Sequence, residues 1–326
     1  MHKMPANCIM TVNGPISNSD LGFCHSHEHL FLAEGQSAKL NPALKLDNFD
    51  KTVAELRLFK KSGGASIIDA QPVGCGRIAQ YLVQASVNTG INIIASTGFH
   101  KLIFYPADHW IHSMNESELA RLFISEFEDG MYIDGDSNLP TRRIAAKPGV
   151  IKTASDIDGI NGKYHRLFEA AAEACKETGA PILSHTEMGK AALEQIQLFT
   201  DYGISVDSLI ICHLDRKVDD INYHLQVAET GVYMEFDTIG RLKYHSDEAE
   251  AKFIVKMVER GYEDRILIGL DTTRERMKSY GGSLGLDYIS SSFIPLLKKF
   301  GLSDEIIKKF TVYNPARAFI SNKNKI

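Results

Sequence analysis

Seven short runs, ASIIDA (65–70), INIIAST (91–97), GVIKTA (149–154), APILSH (180–185), SLIICH (208–213), GVYMEF (231–236) and RILIGLD (265–271), are apolar almost without interruption. Runs of this kind suit strands covered on both faces, the condition of a parallel sheet, and not the in–out alternation of a half-exposed antiparallel one. Between them lie amphipathic stretches such as DKTVAELRLFKKSG, YHRLFEAAAEACKETG, KAALEQIQLFTDYG and DEAEAKFIVKMVERG, several running into a glycine that suits a helix C-terminus. With GFCHSH (22–27) added, the order strand, loop, helix, glycine, strand repeats eight times. That predicts an α/β fold, a (β/α)8 TIM barrel forming one domain over residues 1–326, rather than a doubly wound sheet, which usually has fewer strands. Residues 130–148, polar and turn-rich, are expected to form a long loop, and SSSFIPLLKKFGLSDEIIKKFTVYNPARAF the last helices, with NPA capping the final one.

In such a barrel chemistry gathers at the C-terminal ends of the strands, so the residues ending each run are the ones to inspect. FCHSHEHL (23–30) places His25, His27 and His29 at every second position. On a strand, His27 and His29 share a face and form a metal pincer, with Glu28 turned away toward a structural hydrogen bond. The same alternation puts His25 on the pincer's face but deeper in the barrel, as a core residue. Lys152 lies in the fourth run, His185 ends the fifth, His213 the sixth and Asp271 the eighth. Three strand ends bearing histidine, a buried lysine and an aspartate therefore meet at one mouth. His109, His112, His224 and His245 fall in loops or helices, where surface roles are expected, and none is assigned to metal.

Composition narrows the function further. Lys plus Arg number 36 against 41 Asp plus Glu, a net charge of −5, so no basic face for nucleic acid or anionic lipid is advertised. No run approaches the roughly 18 apolar residues of a membrane helix, and MHKMPANCIMTVNGPIS lacks the apolar core of a signal peptide, so a cytoplasmic location is expected. The five cysteines are scattered, with no C-x-x-C pair, and read as thiols rather than a disulfide framework or zinc ribbon. A small-molecule enzyme is the expectation.

GPI at 14–16, LGFCHSHEHL, GVIKTAS, SHTEMG, CHLDR, GVYMEFDTIGR, ERGYEDRILIGLD and FIPLLKKFG with YNPAR closely resemble, in order and over nearly the whole chain, the phosphotriesterase family of the amidohydrolase superfamily. The resemblance implies two divalent metals, zinc the first choice, one on His27, His29 and Asp271 and the other on His185 and His213. It also implies that Lys152 bridges them, carboxylated on its amine; a carbamate offers two anionic oxygens where an ammonium would be repelled. Asp271 would take the proton of the attacking hydroxide and pass it to the leaving group. A homodimer is the family-level expectation.

The resemblance implies a small-molecule ester as substrate. Cys75, in QPVGCGR after the second strand, reads as a pocket-lining residue, with a thiolate metal ligand as the alternative, and Arg77 as an anchor for that turn. His100 stands at the end of strand three, where the lactonase branch of the family carries tyrosine. Arg216 takes the place of a relay aspartate three residues after the strand-six histidine and is positioned to pair with Asp271 or a substrate anion. Arg241 and Tyr244 read as substrate contacts, and Phe104, Tyr105 and Trp110 as an apolar wall. With no obvious anion-binding cluster, an uncharged acyclic carboxylate ester is the first expectation, a lactone the second and an organophosphorus ester the third. A metal-containing binding protein without turnover is the competing class.

Overall fold

The computed structural model describes residues 7–321; the ends of the expected 1–326 domain lie outside the described residues. Among the described residues ten strands form: β1 (Cys8–Thr11), β2 (Gly14–Ser17), β3 (Cys24–Glu28), β4 (Ser66–Asp69), β5 (Asn92–Gly98), β6 (Val150–Ala154), β7 (Ile182–His185), β8 (Leu209–Cys212), β9 (Tyr233–Phe236) and β10 (Ile266–Ile268). The first two make an antiparallel hairpin, and β3 to β10 pair in sequence order, all parallel. The seam between β10 and β3 is closed by Ser26 Oγ donating to Ile268 O at 2.8 Å and by Asp271 N donating to His27 O at 3.0 Å. This is the expected eight-stranded barrel.

Its core has two layers, dictated by the two-residue period of each strand. Inward residues Cys24, Ile68, Ile94, Val150, Leu183, Ile210, Cys212 and Leu267 fill the interior, which Ile9 of the hairpin and Phe319 close from below. Outward residues such as Ile67, Ile93, Ile151, Ile182, Ile211 and Phe236 meet the surrounding helices. One of these, Lys163–Thr178, buries Leu167, Phe168, Ala171, Ala174 and Cys175 at three- and four-residue spacing and stops at Gly179, whose left-handed φ of 72° any side chain would strain. Burying each large apolar side chain contributes about 1.5–3 kcal/mol.

Three local expectations are corrected. His25 does not share the pincer's face. A bulge between His25 and Glu28 shifts the register of β3 on β4, so His25 points outward onto Phe59, its ring centroid 4.5 Å away, and bonds Glu28 at 2.8 Å. His109 and His224 are buried rather than on the surface, each held through its ring nitrogens by backbone groups. The NPA segment does not begin a new helix. Helical turns run without a break from Asp304 to Ala318, and the Asn314 amide instead donates to Glu263 O and Ile266 O, both at 2.8 Å, tying the helix to β10.

Residues 130–149 form the long loop, which folds over the turns after β4 and β5: Gly135 O accepts from His109 and Trp110, and Asp136 Oδ1 from Gly76 N. Among the described residues no helix is long and apolar enough to cross a membrane.

Candidate metal centre

His27, His29, Lys152, His185, His213 and Asp271 all come to one rim of the barrel and all are buried. The bulge in β3 is what lets the chain run outward at His25 yet turn His27 inward. Lys152 points inward from the middle of β6. The backbone beside it belongs to Gly98, where a Cβ would collide with the Lys152 carbonyl oxygen, so β5 must end in glycine for the strands to pair here. His213 and Asp271 follow their strands in the left-handed region, at φ 64° and 48°. Two non-glycine residues held there, each at a cost of about 1–3 kcal/mol, are strain the surrounding structure must offset, and both carry site side chains.

The nitrogens of the site face one another. His213 Nε2 lies 2.7 Å from His185 Nδ1, His27 Nε2 lies 3.2 Å from Lys152 Nζ, and His29 Nε2 lies 3.4 Å from Asp271 Oδ1. Ligand atoms of His27, His29 and Asp271 sit within 4.8 Å of one another. Burial above all, with nearby cations, pushes His27, His185 and His213 below the ordinary histidine value, so their rings are neutral and carry the lone pairs a metal needs. Lys152 is fully buried and has no carboxylate at ion-pair distance among the described residues; its hydrogen-bond partner is His27. An uncompensated ammonium buried among histidines is costly. The donor set fits two divalent cations.

Two carboxylates that sequence reasoning passed over hold the histidines from behind. Glu235 Oε2 lies 2.7 Å from His27 Nδ1, and Asp237 Oδ1 2.6 Å from His213 Nδ1. Both point inward from β9 and its end, two residues apart. The signal was present in GVYMEFDT: two acids at strand spacing in an otherwise apolar run are out of place unless paired. Burial raises the Glu235 carboxyl to about 7, with His27 opposing.

The remaining expected contacts divide. His100 is at the site, its ring 6.2 Å from that of His29 and 5.4 Å from that of His185, with Phe104 edge-on at 4.7 Å. Tyr105 and Trp110 are packed inside the loop, the phenol oxygen accepting from His100 N and the indole donating to Gly135 O. Cys75 is buried beside Ser37 Oγ at 3.6 Å, and burial pushes its thiol up to about 12, so the thiol stays protonated. Arg77 anchors its turn through Glu126, Ser96 O and Tyr132 O. Arg216 Nη2 reaches Asp271 Oδ2 at 3.1 Å and stacks its guanidinium 5.5 Å over Tyr244; Arg241 Nη2 reaches the same oxygen at 3.2 Å and also the Asp271 carbonyl. Arg276 lies beneath, on Leu270 O and Ile239 O, and Lys101 pairs at 2.7 Å with Glu187, whose other oxygen lies 3.6 Å from Arg216 Nη1. Four cationic side chains thus gather at a mouth whose sequence suggested no anion-binding cluster, because they come from loops far apart in the chain. Burial opposes the charge on Asp271, but Arg241, the His29 hydrogen bond and Arg216 outweigh it and hold the carboxyl well below the usual carboxylate range.

Comparison with known proteins gives a consistent outcome. The phosphotriesterase family model matches residues 7–319. A phospho-furanose lactonase of Mycoplasmopsis synoviae is 32% identical over 96% of this chain and 92% of its own. The crystal structure of a lactonase from Listeria monocytogenes superposes with a TM-score of 0.89 at 32% identity, covering 97% of this chain and 99% of that one. That of the phosphotriesterase homology protein of Escherichia coli, with phosphate in its active site, gives 0.84 at 30% identity, covering 92% and 99%.

Proposed function

The chain belongs to the phosphotriesterase family, and on that premise we propose that it is a binuclear-metal lactonase opening the cyclic ester of a small, phosphate-bearing sugar lactone. The observation that carries the anionic part of this reading is the pair of guanidiniums converging on Asp271. Arg216 and Lys101 flank Glu187 while Arg216 and Arg241 meet on Asp271, so an oxyanion entering the mouth would meet guanidinium and ammonium donors that a neutral acyl chain cannot use. The names of two relatives, a phospho-furanose lactonase and a lactonase, favour a lactone over the acyclic ester expected first.

The two ions, zinc by the chemistry of their nitrogen and carboxylate donors, would be held by His27, His29 and Asp271, by His185 and His213, and by carboxylated Lys152 between them. Bound there, they would supply a water of lowered pKa and a Lewis acid for the ester carbonyl. Asp271 accepts the proton of the attacking water on its carboxylate. It passes that proton to the ring oxygen as the bond between that oxygen and the carbonyl carbon breaks. His100 and Phe104 pack edge-on to each other beside the histidines of the site, and the furanose ring would lie against them.

The test is a rate comparison on zinc-loaded protein: a 1,4-furanose lactone with and without a 5-phosphate, an acyclic carboxylate ester and a phosphotriester. The expected result is a kcat/KM for the phosphorylated lactone at least ~10²-fold above its unphosphorylated counterpart, a gap that Arg241→Met narrows. Equal rates on the two lactones would overturn the anionic reading. Turnover of the acyclic ester alone would overturn the lactone.

A further inference from the structure

The interior of the barrel beneath the site is built from Cys24, Ile68, Ile94, Leu183, Ile210, Cys212 and Leu267, and Glu235 stands among them, fully buried. Its Oε1 has no hydrogen-bond partner. A carboxylate placed there costs stability, and a leucine would continue the apolar packing. Glu235 Oε2 lies 2.7 Å from His27 Nδ1, with Cys212 and Asp237 also beside the carboxyl. Asp237 is already occupied: Oδ1 takes the His213 Nδ1 proton at 2.6 Å and Oδ2 the His213 backbone N–H at 3.2 Å. Its Oδ2 also lies 3.1 Å from His27 Nδ1, farther than Glu235 does. One N–H on His27 thus has two carboxylates near it, and the nearer is Glu235.

We propose that Glu235 is a positioning residue for the metal held by His27: by accepting the Nδ1 proton it fixes the ring's tautomer and angle, leaves Nε2 bare toward Lys152, and frees Asp237 to serve His213. One strand therefore supplies a separate carboxylate to a histidine of each metal, at positions 235 and 237. Without Glu235, the two imidazoles would compete for Asp237, and His27 would be free to turn its protonated nitrogen into the site. This inference rests on the reading that the centre holds two metals.

Zinc affinities of wild-type, Glu235→Leu and Glu235→Gln protein are measured by competition with a chelator, and the cobalt(II) visible spectrum is recorded for each. In Glu235→Leu one equivalent of zinc is expected to weaken about 10–100-fold, the other to stay near its wild-type affinity, and one cobalt band to change. Glu235→Gln keeps an acceptor for Nδ1 and restores most of the affinity. If Glu235→Leu does not fold, Glu235→Asp, which withdraws the oxygen from His27, takes its place with the same expectation. Wild-type affinity and spectrum in Glu235→Leu, with only the melting temperature altered, overturn the proposal, as does Glu235→Gln binding as weakly as Glu235→Leu. Wild-type protein that takes up no metal overturns this inference and the hydrolase reading together; two wild-type equivalents with an unaffected variant overturn this one alone.

Discussion

His109 should make stability fall in mildly acidic solution, by an amount its surroundings define. Its Nδ1 accepts from Ile111 N at 3.2 Å, and its Nε2 donates to Gly135 O at 2.8 Å, so the neutral Nε2–H tautomer alone satisfies both. A second proton would set an N–H against the Ile111 N–H, and burial pushes the ring from 6.5 down to about 4. The folded protein then binds this proton at lower pH than the unfolded chain does. Stability is complete above pH 6.5, falls as the pH drops through that value, and levels off below about 4. A depression of about two and a half pH units corresponds to about 3 kcal/mol at the plateau and about 2 kcal/mol at pH 5. Guanidinium unfolding of wild-type and His109→Gln protein at pH 8, 6 and 5, with chelator present so that the metal ligands contribute equally to both, isolates the effect. At pH 8 the variant is expected to be less stable by about 1–2 kcal/mol, having lost a matched pair of hydrogen bonds. By pH 5 that gap should close by about 2 kcal/mol, and the variant should match or exceed the wild type. A gap constant to within ~0.5 kcal/mol from pH 8 to pH 5 would refute the reasoning.

Three further outcomes follow from the site and its frame. Lys152→Ala should bind at most one zinc and lose at least ~10²-fold in turnover, read by metal analysis and steady-state kinetics; two tightly bound equivalents in the variant would count against the bridge. Asp271→Asn should lower kcat about 10²- to 10⁴-fold with a smaller change in KM, and a loss under ~10-fold would remove it from proton transfer. Glu126→Leu leaves the buried Arg77 guanidinium without its carboxylate and should cost about 3–5 kcal/mol in denaturant unfolding, against nearly nothing if the pair were solvated.

The seven apolar runs carried the fold because parallel strands covered on both faces have a composition that few other elements share. Their observed bounds, such as Ile182–His185 within APILSH and Ile266–Ile268 within RILIGLD, differ from the runs by up to three residues at the ends. The same regularity led from strand ends to His27, His185 and Asp271. Where the backbone departs from strict alternation, the sequence misled: the bulge that turned His25 onto Phe59 leaves no mark in CHSHE. His109 and His224 were misjudged for another reason, since a polar side chain in a loop is exposed or buried according to which carbonyls other loops bring to it.

Local pattern, then, determined the barrel, the order of its strands and the identity of the six side chains at its rim, because each depends on the two-residue period of a strand or on which residue ends it. What surrounds those six was decided only by tertiary structure. Glu235 behind His27, Asp237 behind His213, and Arg216 with Arg241 on Asp271 are contacts between residues 24 to 208 positions apart. Such contacts depend on how neighbouring strands and loops are staggered around a closed cylinder, and short-range periodicity carries no information about that stagger.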